Sequence, residues 1–136
     1  MQTRVEDHTG EVLEAMRKQV TLGLKAIGQE AEGYAKDSCP VDTGLLRNSL
    51  TFAVSGESPA ISSYSSDDGS KSGTYSGTAP AGDGLSVYIG TNVEYAEEQE
   101  VGDAIHHKTG GAHFLRNAAT DHSNHYKEIM RAALDT

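Results

Sequence analysis

Six histidines, one cysteine and an Asp-Thr pair close to that cysteine are the side chains whose types and spacing invite a metal-site or nucleophile reading. His106, His107 and His113 lie near one another in sequence. His122 and His125 are three apart, which would place them on adjacent helix surface. A zinc site wants three or four nitrogen or sulfur ligands brought together, but His-Glu-x-x-His is absent and Cys39 has no second sulfur to assist it. These histidines are therefore expected to be ordinary surface or interface residues, with no metal and no cofactor. Cys39 paired with a histidine would be a nucleophile. It precedes Pro40 in a stretch expected to be buried, however, where the thiolate is disfavoured. No Gly-x-Ser-x-Gly elbow occurs, Gly82-Asp83-Gly84 lacks the later glycine of a dinucleotide loop, and no glycine-rich loop ends in Gly-Lys-Ser/Thr. The chain is not expected to be an enzyme.

The elements around these residues explain why they stand where they do. Leu13, Met16, Val20, Leu24, Ile27, Ala31 and Tyr34 step by three and four, which predicts a long amphipathic helix over residues 3 to 38. Its start has two signals: Thr3-Arg4-Val5-Glu6 has capping-box spacing, and Thr9-Gly10 offers a later start. The helix is read as core-forming, with an inter-subunit role as the alternative. Gly23 and Gly28 would let another backbone approach closely or permit a bend; close packing is the preferred reading. Pro40 stops the helix and pushes Cys39 out of the α region. Asp42 or Thr43 can then cap a fresh helical turn, with Gly44 supplying backbone freedom. Residues 39 to 50 thus form a helix-to-sheet corner, anchored by Leu45 and Leu46, with Arg47 as its outward reach.

Leu50, Phe52 and Val54 alternate with Thr51, Ala53 and Ser55, as do Leu85, Val87 and Ile89 with Ser86, Tyr88 and Gly90. These read as an antiparallel pair. Their connection, residues 57 to 84, is rich in Ser and Gly and has no hydrophobic period, so it cannot build a core of its own. It is expected to be a loop ordered from outside the domain by neighbouring chains, with Tyr64 and Tyr75 as anchors. Tyr95 to Glu100 reads as a short acidic helix stopped near Gly102; Glu94, Glu97, Glu98, Glu100 and Asp103 form an acidic run there. Such a run is either a solvated face or a contact to a basic patch on a partner. Residues 104 to 112 read as a loop or short edge strand. Phe114, Leu115, Ala118, His122, Tyr126, Ile129 and Ala133 then step through a second amphipathic helix. The expected fold is α+β: a long N-terminal helix and a C-terminal helix on a small antiparallel β-sheet with a long Ser/Gly-rich hairpin loop, as one domain over residues 1–136.

Twenty acidic and eleven basic residues give a formal net charge of −9, which argues against a nucleic-acid-binding face, because phosphate contacts need clustered cations. With no Trp and only two Phe, the core is expected to be thin, and oligomerisation is a natural remedy. The N-terminus carries no apolar leader and no run is long enough to span a membrane, so a soluble chain that does not engage a membrane is expected.

Three ordered segments, Cys-Pro-Val-Asp-Thr-Gly-Leu-Leu-Arg-Asn-Ser-Leu from Cys39, Tyr-Ala-Glu-Glu-Gln-Glu-Val-Gly from Tyr95, and Phe-Leu-Arg-Asn-Ala-Ala from Phe114, resemble the tailed-bacteriophage neck and minor tail-component family. The motif residues are Pro40, Asp42, Thr43, Gly44, Leu46, Arg47 and Ser49 in the first; Tyr95, Ala96, Glu100 and Gly102 in the second; and Phe114 and Leu115 in the third. The chain departs from the pattern at His113, where the family often has Pro, and at Val101, where an aromatic residue is common. The resemblance implies a virion protein of the head-to-tail junction, in the neck or in tail completion, assembled in the host cytoplasm. It implies a ring of six subunits through which DNA passes, flanked by head-closure and tail-terminator or tail-tube proteins. Candidate interface residues are Tyr64, Tyr75, Glu94, Glu97, Glu98 and Glu100. The alternatives are a minor component associated with the tail tube and a metal-binding adaptor unrelated to virions.

Overall fold

The computed structural model describes residues 7–82, 84–101 and 113–135. The element order is α1 (Thr9–Ser38), α2 (Leu45–Ser49), β1 (Thr51–Val54), β2 (Ser63–Ser65), β3 (Ser72–Thr74), β4 (Val87–Gly90), α3 (Ala96–Val101), α4 (Phe114–Thr120) and α5 (Ser123–Leu134). The fold is α+β, as expected. The Thr3–Glu6 capping signal lies outside the described residues, while the later signal coincides with the start of α1. There the Asp7 carboxylate accepts from the Thr9 backbone N–H at 2.9 Å and from its hydroxyl at 2.5 Å.

β1 and β4 pair antiparallel, with Thr51 opposite Gly90 and Val54 opposite Val87. This sheet lies against α1. A β-carbon on Gly28 would sit 2.6 Å from the Phe52 ring and 2.8 Å from Val87 Cγ2, so helix and sheet approach as closely as they do only because that position has no side chain. Gly23 does the same for α5, where Met130 Sδ would lie 2.6 Å from an added β-carbon. Close packing therefore accounts for both glycines. The alternation expected in β1 is blurred, with Thr51, Ala53 and Val54 all buried and Phe52 only partly so. The other edge of β1 is covered by returning chain: Ala60 N–H donates to the Phe52 carbonyl at 2.9 Å. Leu85, expected within the second strand, precedes it and is exposed.

Two expectations need correction. The C-terminal pattern is divided into α4 and α5, with Asp121 and His122 between them, although the apolar steps run straight through. The ring of His122 stacks on Tyr34 with centroids 3.5 Å apart and planes 7° from parallel, and this contact with α1 is made at the break. In addition, the long loop holds structure of its own. β2 and β3 form a second antiparallel pair, with Tyr64 opposite Gly73, and side chains of the corner hydrogen-bond to it.

The core is small, as the composition suggested. Ala35, Cys39, Leu46, Leu50, Ala96, Phe114 and Ala118 form one buried cluster, with Tyr34, Ile89, Val93 and Leu115 packed around it. No helix among the described residues is long and apolar enough to cross a membrane.

Candidate functional site

The corner is built by local chemistry. Cys39 is extended, at φ −66° and ψ 136°, as the following proline requires. Gly44 then takes the left-handed conformation at φ 83°, and α2 begins after it. The Leu45 N–H reaches back to the Thr43 hydroxyl at 3.3 Å, and Asn48 N–H donates to the Gly44 carbonyl at 2.9 Å. Of the two capping residues considered, Thr43 makes the contact; Asp42 is exposed.

The loop docks on this turn. Arg47 Nη2 donates to both Asp67 carboxylate oxygens at 3.0 and 3.1 Å, a paired contact from one side chain to another 20 residues away. Asn48 Nδ2 donates to the Ser65 carbonyl at 2.8 Å and to Asp67 Oδ1 at 3.0 Å, while Asp67 N–H donates to the Thr43 carbonyl at 2.8 Å. The space for that carboxylate exists because residue 44 has no side chain: a β-carbon there would lie 2.4 Å from Asp67 Cγ and Oδ1. Tyr75 donates its hydroxyl to the Ser49 carbonyl at 2.5 Å, and Tyr64 donates to Asn92 Oδ1 at 2.5 Å. The two rings lean on each other with centroids 5.4 Å apart. Both tyrosines thus hold the loop to the rest of this chain. Ser49 is fully buried, its hydroxyl bonded to the Leu46 carbonyl and to Thr91 Oγ1, each at 2.6 Å.

At the tip of the loop, Asp68 accepts from the Ser70 N–H and hydroxyl and from the Ser66 hydroxyl, at 2.7 to 2.9 Å. These bonds, the Ser70 backbone N–H foremost, favour the charged form and hold its carboxyl down at about 2.

The other two motif segments meet the corner in the core. Ala96, Phe114 and Ala118 pack with Leu46, Leu50 and Cys39. Tyr95 is partly exposed; burial raises its phenol pKa, opposed by a hydrogen bond with Thr43. Glu100 is turned inward. Its two carboxylate oxygens accept from the Leu115 N–H at 2.8 Å and the Arg116 N–H at 2.9 Å, while its own carbonyl accepts from His113 N–H at 2.7 Å. One acid thereby closes the first turn of α4, whose leading residue His113 sits at φ 62° and offers no side-chain cap. Glu94 and Glu97 are exposed. Gly102, Asp103, residues 104 to 112 with His106 and His107, and the side chain of Glu98 lie outside the described residues.

Cys39 is buried, and burial pushes its thiol up to about 12, with Arg47 pulling it down and Glu100 adding to the rise. A thiol held neutral in this way is a packing group rather than a nucleophile. His125 faces Glu30 at 3.6 Å and Glu128 at 3.9 Å. Among the described residues no three His, Cys, Asp or Glu side chains are grouped to hold a metal ion.

The sequence reading missed Asp67 and Asn48, which carry the loop, and the role of Glu100. The signal for the hairpin was present: Asp68-Gly69 is a turn pair between Ser-Tyr-Ser and Ser-Gly-Thr. This is an α+β body with a buried joint and an exposed acidic surface. The comparison with protein families matches residues 1–102 to the HK97-gp10-like family, described as "Bacteriophage HK97-gp10, putative tail-component", and the chain belongs to that family. The match stops short of Phe114, which the fold ties to the matched part through Glu100 and the common core. The comparisons with curated proteins and with solved structures give no match.

Proposed function

We propose that this phage tail-component family member is a structural protein of the head-to-tail junction, in the neck or in tail completion, and that six copies form a ring through which DNA passes. The observation that carries this reading is the convergence of the three motif segments on one core, in a chain of the tail-component family. Their side chains go into a joint that holds the β2–β3 hairpin against α2 and leaves Glu94 and Glu97 exposed, which suits a building block. The thin core and net charge of −9 support it further: such a surface gains stability from neighbours and does not grip DNA that must move. Glu94, Glu97 and Glu98 would line the lumen or a subunit contact, and the outer face of the hairpin would meet an adjoining ring, either a head-closure protein or a tail-terminator or tail-tube protein.

Electron microscopy of intact particles, with native mass measurement of the purified chain, tests this reading. A six-fold ring at the head-to-tail junction is the expected result. Copies distributed along the tail tube would instead favour a tube-associated component, and absence from the particle would refute the proposal. Charge reversal at Glu94 and Glu97 should impair assembly or DNA passage, and unchanged phage yield would remove those residues from the functional surface.

A further inference from the structure

The C-terminal stretch is written as one helix and folded as two. Leu115, Ala118, His122, Tyr126, Ile129 and Ala133 keep a single apolar stripe through the junction, and no glycine or proline stands between Phe114 and Leu134. Asp121 is close to helical, at φ −75° and ψ −12°, so the break is concentrated at His122, at φ −121° and ψ 26°. Asp121 N–H still donates to the Asn117 carbonyl, and the ladder resumes with Tyr126 N–H on the His122 carbonyl at 3.0 Å. α5 begins without a side-chain cap. A continuous helix would give the N–H groups of Ser123 and Asn124 the carbonyls of Ala119 and Thr120 as acceptors. Two contacts hold the bend instead. His122 stacks on Tyr34 at 3.5 Å, and the Tyr126 hydroxyl donates to the Ala118 carbonyl, eight residues back. A straight helix rules out the second contact, because it would set those residues about 12 Å apart along its axis.

The two helices are also held differently. Phe114 and Ala118 of α4 belong to the buried core, whereas α5 contributes no residue to it and has none fully buried. It lies back along α1, with His122 on Tyr34 and with Met130 and Ala133 against Gly23. Ala119, Thr120 and Asp121 are exposed, so the end of α4 opens on solvent. α5 can therefore leave α1 without opening the core. We propose that the Asp121–His122 junction is a hinge, and that α5, carried outward on a straightened α4–α5 helix, docks on α1 of a second copy of this chain in the place which that copy's own α5 has left. The contact within one chain identifies the occupant: the α1 surface of a second copy is the same surface, already fitted to this face of α5, so exchange needs no new complementarity. Each copy gives a helix to the next and receives one, which links copies into a closed pair or a ring. The inference rests on the reading above in which copies of this chain join one another, and names the element they exchange.

Size exclusion with light scattering on the full chain, over a concentration series and after long incubation, tests this. The unaltered chain should show linked copies whose share grows with concentration. Tyr126→Phe, which removes the bond to the Ala118 carbonyl and keeps the apolar face, should favour linkage about tenfold. Asn124→Pro should abolish it and leave the single chain folded. In the first turn of α5 that N–H has no partner within the helix, but in a continuous helix the ring would meet the Thr120 carbonyl. Mixing two variants shows whether α5 crosses between chains. Gly23→Leu blocks the docking place on α1, and Ile129→Asp, Met130→Asp spoils the face of α5. Neither chain alone should associate, and together they should form a one-to-one complex. A Tyr126→Phe chain that stays monomeric, or Asn124→Pro linked like the unaltered chain, would overturn the proposal, and so would a mixture that stays monomeric. Asn124→Pro chains still built into a ring in particles would leave the ring standing and refute the exchange. Exchange in solution without any ring in particles would leave the exchange standing and refute the ring.

Discussion

Gly44→Ala should destabilise the chain through two separable effects. Gly44 sits at φ 83°, and alanine in that left-handed conformation costs about 1–2 kcal/mol. The new methyl would also lie 2.4 Å from the Asp67 carboxylate, which must move away from the corner. That displacement breaks the Arg47 ion pair, held to about 0.5 kcal/mol by solvent because its partners are 35% and 55% exposed. It also breaks the Asn48 hydrogen bond to Asp67, about another 1 kcal/mol. Gly44→Ala should therefore cost about 3 kcal/mol in total. Asp67→Ala alone should cost about half as much, since it loses the same two contacts without the backbone strain.

The decisive comparison is the double variant. With residue 67 cut back to its β-carbon, the methyl at position 44 has no carboxylate to meet, and only the left-handed strain is added. Gly44→Ala, Asp67→Ala should thus be no less stable than Gly44→Ala, a coupling of about 1.5 kcal/mol. Urea unfolding followed by far-UV circular dichroism gives all four stabilities by linear extrapolation. Strict additivity would refute the account of residue 44 as the space that admits the loop, and a neutral Gly44→Ala would refute the strain as well.

Glu100→Ala should cost about 2–3 kcal/mol, because it leaves the Leu115 and Arg116 N–H groups without their charged acceptor; Glu100→Gln, which keeps one acceptor, should lose less by thermal melting. Gly28→Ala should lose about 1–3 kcal/mol by driving a methyl into Phe52, whereas Gly33→Ala, with nothing within 4 Å of an added β-carbon, should gain up to about 1 kcal/mol. Cys39 should resist alkylation in the folded chain and react once urea unfolds it. Its raised pKa also sets a pH window: stability is fully present below the ordinary thiol value of 9.0 and falls as pH rises towards about 12, where the unfolded chain sheds a proton that the folded chain retains. Cys39→Ala should flatten that alkaline decline in urea titrations at successive pH values.

What could be read from the sequence was what is determined over a few residues or repeats with a regular period. Pro40 and Gly44 dictate their own backbone, so the corner was legible, and the stepping of α1 and the pairing of β1 with β4 follow from hydrophobic period. The docking of the loop was not, because Arg47 with Asp67, Asn48 with Ser65 and Tyr75 with Ser49 are hydrogen bonds between residues 17 to 26 apart that leave no periodic trace. The break between α4 and α5 was hidden for the opposite reason. Its apolar steps are uninterrupted, and the stack of His122 on Tyr34 is a contact with another element.

Glu100 shows how such a blind spot bears on function. Within a run of acids it reads as one more surface charge, yet its partners are backbone N–H groups 15 and 16 residues later. Reversing its charge would loosen α4. Glu94 and Glu97 have no such duty in the described structure and stay exposed. A loss of assembly on substituting Glu100 would therefore report on the joint, and only a loss at Glu94 or Glu97, with the melt unchanged, would report on the surface that the joint presents.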